Sequence, residues 1–390
     1  MATVNTSRDG LIEAAKKVGP LLRENAGQGE RDRRLAPATA KALSDAGLFR
    51  MCRPRELGGL EVDPLTLLYV SEELGRHDAS AAWCALNFSV SGMLQAFLPR
   101  DGARELGNAP DLVVNGIVAP SGRAVEVDGG YRVSGRWAFV SGCEYCHWVA
   151  PGCIVFKGDE MSMTPMGPEL VVPWVKTSDC QIIDTWDAVG LRATGSNDIE
   201  ISDVFVPKHR TSAIPIFIQP VADGALFRFP LVATFGLAMA ASALGLAQAA
   251  IDEVLRLAAT KTPFGMMSTL ATRTTAQIAV CEALAQVGSA RALLVEETSR
   301  TWDLVQAGKE VTAKQRGMLR IALVHATTAA TSAIDRMYTT AGGTAVYSSS
   351  PLQRYVRDVR GHTQHFFVAP HQYETVGKVL LGAEPDGFML

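Results

Sequence analysis

The feature that most constrains this chain is a double change in hydrophobic period. About 110 residues of helical texture give way near Leu112 to alternating, β-rich segments, and after Pro230 the helical texture returns. In the first part Leu11, Ala14, Ala15 and Val18 share a helical face, and a second run passes through Thr39, Leu43 and Ala46 to Gly47. Pro64 opens a further helix through Leu67, Leu68, Val70 and Leu74, and the apolar Ser80–Leu98 stretch predicts a buried one. From Val113 to about Arg210, short strands such as Val125–Val127, Tyr131–Val133, Trp137–Val140, Ile199–Ile201 and Val204–Val206 are separated by turn signals, with Asp128-Gly129 marking a hairpin. Strands at this spacing predict a β-barrel or sandwich and not a βαβ sheet. Long helices are then expected over about 231–259, 268–306 and 312–341, with shorter ones in 351–360 and 370–382. The division is an N-terminal helical domain (1–112), a central β domain (113–220) and a C-terminal helical domain (221–390).

Charge and composition exclude several functions. The 37 Lys+Arg against 40 Asp+Glu give a net charge of −3 with no basic stripe, which argues against a nucleic-acid partner. Seven cysteines without a close-spaced even framework suit a reducing, cytoplasmic setting, and Cys143-x-x-Cys146 reads as two buried thiols. Leu231–Ile251 carries no charge and is long enough to span a bilayer, yet it is mostly Ala and Gly and includes Thr234, Ser242 and Gln248. A helix buried on all faces is the expectation, and no membrane partner. No GxGxxG follows a strand and opens a helix, so a Rossmann nucleotide site is not supported.

Three segments carry a family resemblance. They are Gly135–Gly142 in the β region, Val189–Asp198 followed by Val204–Pro207, and Gly342–Asp358 with its Gly-Gly start and Arg357-Asp358 end. In this order they resemble the acyl-CoA dehydrogenase superfamily. The resemblance implies an α+β fold with an N-terminal helical domain, a central β-barrel and a C-terminal four-helix bundle, and a homotetramer. It also implies a flavin site. Phe139 would cover one face of the ring, the Ser141 hydroxyl would bond flavin N5, and Gly142 would let backbone approach closely. Gly342 and Gly343 would offer amides to the cofactor, joined by Lys261 and Phe264 near its phosphates and by Arg228. Lys261 stands where relatives often carry arginine and lacks its bidentate fork, so both FAD and FMN stay open.

The chemistry turns on a missing acid. Dehydrogenases of this family need a carboxylate to remove an α-proton. Counting onward from Arg357-Asp358 reaches His365-Phe366-Phe367, and Leu231–Ile251 has no carboxylate either. Arg360-Gly-His362-Thr-Gln-His365 stands there instead, and resembles the two-component flavin-dependent monooxygenases of the same fold. The resemblance implies reduced FAD or FMN from a separate reductase, O2, a C4a-hydroperoxyflavin, and an aromatic or heteroaromatic substrate such as a phenol or indole. His365, His362 and Ser141 are its catalytic candidates, with imidazole suited to moving a proton near neutrality. The alternative is an acyl-CoA dehydrogenase with a displaced base at Glu374. A metal site of His362, His365 and His371 lacks matching Cys or carboxylate ligands, and none is expected.

Overall fold

The computed structural model describes residues 5–165, 167–215 and 218–383, with the backbone only of Val118. The N-terminal part comprises α1 (Arg8–Asp32), α2 (Pro37–Asp45), α3 (Pro64–Gly75), α4 (Ala79–Gly92) and α5 (Arg100–Leu106). Capping explains two starts. Ser7 accepts from the Gly10 amide ahead of α1, and Asp63 accepts from the Thr66 amide with Pro64 in the first turn of α3. The expected 80–98 helix stops at Gly92 and continues as a 3₁₀ turn over Met93–Phe97, and α5 beyond Pro99 was not foreseen.

The middle of the chain holds β1 (Val114–Val127), β2 (Gly130–Val140), β3 (Trp148–Lys157), β4 (Glu160–Met161), β5 (Met163–Thr164) and β6 (Gly167–Pro168). It continues through β7 (Leu170–Pro173), β8 (Val175–Lys176), β9 (Gln181–Ile183), β10 (Asn197–Pro207) and β11 (Thr211–Ala213). Nine of these form one mixed sheet along the path β11-β7-β3-β1-β2-β10-β9, with β4 and β8 also on β3. The Asp128-Gly129 hairpin forms as expected, pairing Val127 with Gly130, while β3 lies parallel to β1 on its other side. Among the described residues no pairing joins β11 to β9, so the expected barrel is met as a mixed sheet.

The C-terminal part comprises α6 (Leu231–Ala258), α7 (Thr274–Gln306), α8 (Ala313–Ala341), α9 (Pro351–Thr363) and α10 (Gln372–Leu380). Helix α8 packs against α6, α7, α9 and α10, and α6 also packs against α3 and α4 of the N-terminal part. The small residues of α6 permit that crossing. A Cβ on Gly75 would lie 2.2 Å from the Ser242 carbonyl oxygen, and one on Gly245 would lie 1.9 Å from that of Glu72. By length and composition both α6 and α7 could cross a membrane, but the most apolar window of α6 is 94% buried in the protein. The charge-free stretch is a core helix, as its Ala-Gly texture suggests.

Candidate functional site

The β2 strand ends in a conformation that presents its side chains. Phe139 has φ +63°, uncommon for a bulky residue; it is 74% exposed, and its ring makes a T-shaped contact with Trp186. Ser141 follows, nearly buried. Gly142 has φ +64°, and a Cβ there would meet the Phe88 ring at 2.3 Å, so only glycine fits. Asn115 Nδ2 donates to the Ser141 carbonyl at 2.7 Å and the Gly142 amide to the Thr194 carbonyl at 2.7 Å. Both bonds hold this turn against β1 and the segment before β10.

The Ser141 hydroxyl is the centre of a buried polar chain. Trp83 Nε1 of α4 donates to its Oγ at 3.0 Å, and Ser196 Oγ lies 2.9 Å away. Ser196 Oγ is in turn 2.6 Å from Thr194 Oγ1, which donates to the Leu191 carbonyl at 2.8 Å.

The Trp83 indole also carries the two histidines. Its ring centroid is 5.0 Å from that of His362 at 84° and 5.7 Å from that of His365 at 65°. Their partners set their tautomers. His362 Nδ1–H donates to the Asp358 carbonyl at 3.2 Å, which leaves Nε2 a bare lone pair, fully buried and with no partner among the described residues. His365 Nδ1 accepts from the Phe367 amide at 3.3 Å, so its proton sits on Nε2. Burial pushes both imidazoles down to about 4, helped at His365 by the neighbouring His362, and both are neutral at pH 7. Side by side stand a neutral acceptor and a neutral donor. The orphaned Nε2 is the kind of buried group that a ligand satisfies.

The structure brings together Ser141, His362 and His365. A second cluster gathers around Lys261 and the segment that follows α8. Lys261 Nζ donates to Thr344 Oγ1 at 2.7 Å and to the Ala341 carbonyl, so it braces the segment that holds Gly342 and Gly343. Gly342 has φ +58°, and among the described residues a Cβ on Gly343 would meet nothing within 4 Å, leaving its backbone open to approach. Phe264 is fully exposed in the loop after α6. Arg228 is exposed, and no ion pair to it is found among the described residues. Glu374, the displaced base of the dehydrogenase alternative, is 73% exposed and pairs with Lys378 at 3.2 Å on α10. Cys143 and Cys146 are buried free thiols, Cys143 pushed up to about 12 by burial. Nothing in the sequence marks Trp83, Ser196, Thr194 or Asn115 as site residues; Thr194 and Ser196 lie within Val189–Asp198, with no local sign that links them to Ser141.

Comparison with known proteins gives the family. Residues 13–105 match the acyl-CoA dehydrogenase N-terminal domain and residues 237–370 the acyl-CoA dehydrogenase C-terminal domain. An indole-3-acetate monooxygenase of Pseudomonas putida is 32% identical, covering 93% of this chain and 91% of that protein. The oxygenase component of an FADH2-dependent resorcinol hydroxylase of a Rhizobium species is 30% identical, covering 97% and 95%. Among solved structures, XiaF from a Streptomyces species, in complex with FADH2 and glycerol, superposes with a TM-score of 0.91 at 26% identity, covering 97% of each chain. The chain belongs to the acyl-CoA dehydrogenase family, in its branch of flavin-dependent monooxygenases.

Proposed function

We propose that this protein is the oxygenase component of a two-component system, taking reduced FAD or FMN from a separate reductase and using O2 to place one oxygen atom on an aromatic or heteroaromatic small molecule such as a phenol or indole. The observation that carries this reading is the pair of neutral imidazoles on Trp83, beside Ser141 and in place of a carboxylate base. The residues fit a flavin ring: an exposed aromatic on a positive-φ turn at Phe139 and a hydroxyl at Ser141, whereas Gly142, expected to let the cofactor approach, faces Phe88 and serves the turn itself. When bound, the reduced flavin supplies the electrons that activate O2.

The chain's own residues do the rest. Phe139 would cover the ring and the Ser141 hydroxyl would meet its N5, on the turn that Gly142 allows. The bare Nε2 of His362 accepts the proton-bearing O–H or N–H of the substrate, and His365 offers its Nε2–H to an oxygen. The buried surroundings of Trp83 keep water from the reacting atoms. Gly342, Gly343, Lys261, Phe264 and Arg228 hold the cofactor's distal part, reaching it across a subunit boundary in a homotetramer. The segment that holds Gly342 and Gly343 packs on α9, the helix of His362. The three domains span 1–112, 113–220 and 221–390, the last a four-helix bundle, and the protein is cytoplasmic.

The test supplies anaerobically reduced flavin, then O2, with a panel of phenols, indoles and thiophenes, and reads mass spectra for a gain of one oxygen. No such product from any panel member sinks the reading. His365→Ala is expected to keep flavin binding and lose most product; unchanged product per flavin oxidised removes His365 from its role.

A further inference from the structure

The direction of every hydrogen bond around Ser141 follows from one fixed end. The Leu191 carbonyl can only accept, and it takes Thr194 Oγ1–H at 2.8 Å. A threonine has one hydroxyl proton, so at the 2.6 Å contact Ser196 must be the donor to Thr194. Ser196 has then spent its proton, so at the 2.9 Å contact Ser141 must be the donor to Ser196. Trp83 Nε1, a donor only, already occupies one lone pair of Ser141 Oγ. The Leu191 carbonyl also accepts from Trp186 Nε1 and from the Thr194 amide, each at 3.1 Å, longer than the 2.8 Å bond from Thr194 Oγ1, and the Leu191 amide is held by Asp358 at 2.7 Å. Thr194, Ser196 and Ser141 are all at most 5% exposed, and among the described residues no other partner competes for these hydroxyl protons.

We propose that the Ser141–Ser196–Thr194 chain selects the redox state of the flavin, by fixing Ser141 as a hydrogen-bond acceptor with one lone pair free. Reduced flavin carries a proton on N5 and needs an acceptor there. Oxidised flavin has a bare N5 and needs a donor, and the proton of Ser141 points away into the chain. Reduced flavin therefore gains a hydrogen bond, while oxidised flavin faces lone pair against lone pair. Ser196 and Thr194 act as positioning residues, through Ser141. The inference rests on the reading that Ser141 faces N5.

The test is anaerobic titration of the full-length protein with oxidised and with reduced FAD and FMN, comparing dissociation constants in wild type, Ser196→Ala, Thr194→Val, Thr194→Ser and Ser141→Ala. Wild type is expected to favour the reduced form. In Ser196→Ala the Ser141 proton is released toward N5, so oxidised flavin binds more tightly and the reduced-to-oxidised preference falls roughly tenfold. Thr194→Val is expected to do the same and Thr194→Ser to keep the wild-type ratio, so the proposal stays falsifiable if Ser196→Ala does not fold. An unchanged ratio in Ser196→Ala or Thr194→Val, with a changed ratio in Ser141→Ala, overturns the chain and leaves Ser141 at N5. An unchanged ratio in Ser141→Ala overturns both.

Discussion

The Leu191 amide donates to Asp358 Oδ1 at 2.7 Å, so one side chain of α9 fixes the left-handed turn on which the Thr194–Ser196 segment begins. The same residue's backbone carbonyl receives His362 Nδ1–H. Asp358 thus sits at the junction of the hydroxyl chain and the histidine pair. Burial pushes its carboxyl up to about 7, opposed by the Leu191 amide and reinforced by buried Asp78.

Between about pH 4 and 7 the folded state therefore holds a proton on Asp358 that the unfolded state has lost, and this group's contribution to stability falls as pH rises through that window. Asp358→Asn keeps an acceptor for Leu191 and cannot titrate. Its stability relative to wild type, measured by urea unfolding, is expected to be more favourable at pH 8 than at pH 5. An equal difference at both pH values contradicts the assignment.

The histidines carry the opposite sign. Both are pushed down to about 4, so between about pH 4 and 6.5 the unfolded state binds more protons and their contribution to stability rises with pH. Their ring-proton NMR signals are expected to stay at neutral-form shifts down to about pH 5. A midpoint near 6.5 for either would show an open, hydrated site.

Trp83→Phe keeps an aromatic ring against His362 and His365 but removes the N–H to Ser141. We expect about 1 kcal/mol of lost stability and a shift from oxygenated product toward hydrogen peroxide, read by assaying both in one reaction. Unaltered partition would confine Trp83 to packing.

Glu374→Gln is expected to leave product formation within about twofold of wild type, since the carboxylate is exposed and paired with Lys378. Loss of turnover, or bleaching of bound flavin by an acyl-CoA in wild type but not in this variant, would restore the dehydrogenase alternative.

The helix–sheet–helix order was legible because hydrophobic period reports local structure, and the Ala-Gly texture of α6 announced its burial. The parallel pairing of β3 with β1 was not, because a hairpin signal fixes β2 and says nothing of where the next strand returns. The histidines were found through an absence, the missing carboxylate. Trp83 was passed over as a site residue because it lies 279 positions from His362, and one tryptophan in a buried helix has no local signature. Serine and threonine 55 or 2 positions apart likewise give no sign of a directed chain; it arises only where β2 meets the turn before β10.

The crossing of α3 and α6, where backbone meets backbone through Gly75 and Gly245, has a consequence for how the protein is made. The apolar face of α3 leaves the ribosome while its partner, beginning at Leu231, has yet to be translated. At common synthesis rates that interval is roughly 8–30 s, during which the nascent helices stay sticky. The sheet is synthesised in that interval, before α6 can cover α3. A chaperone that shields the nascent N-terminal part should therefore raise the yield of folded protein more than one acting after release.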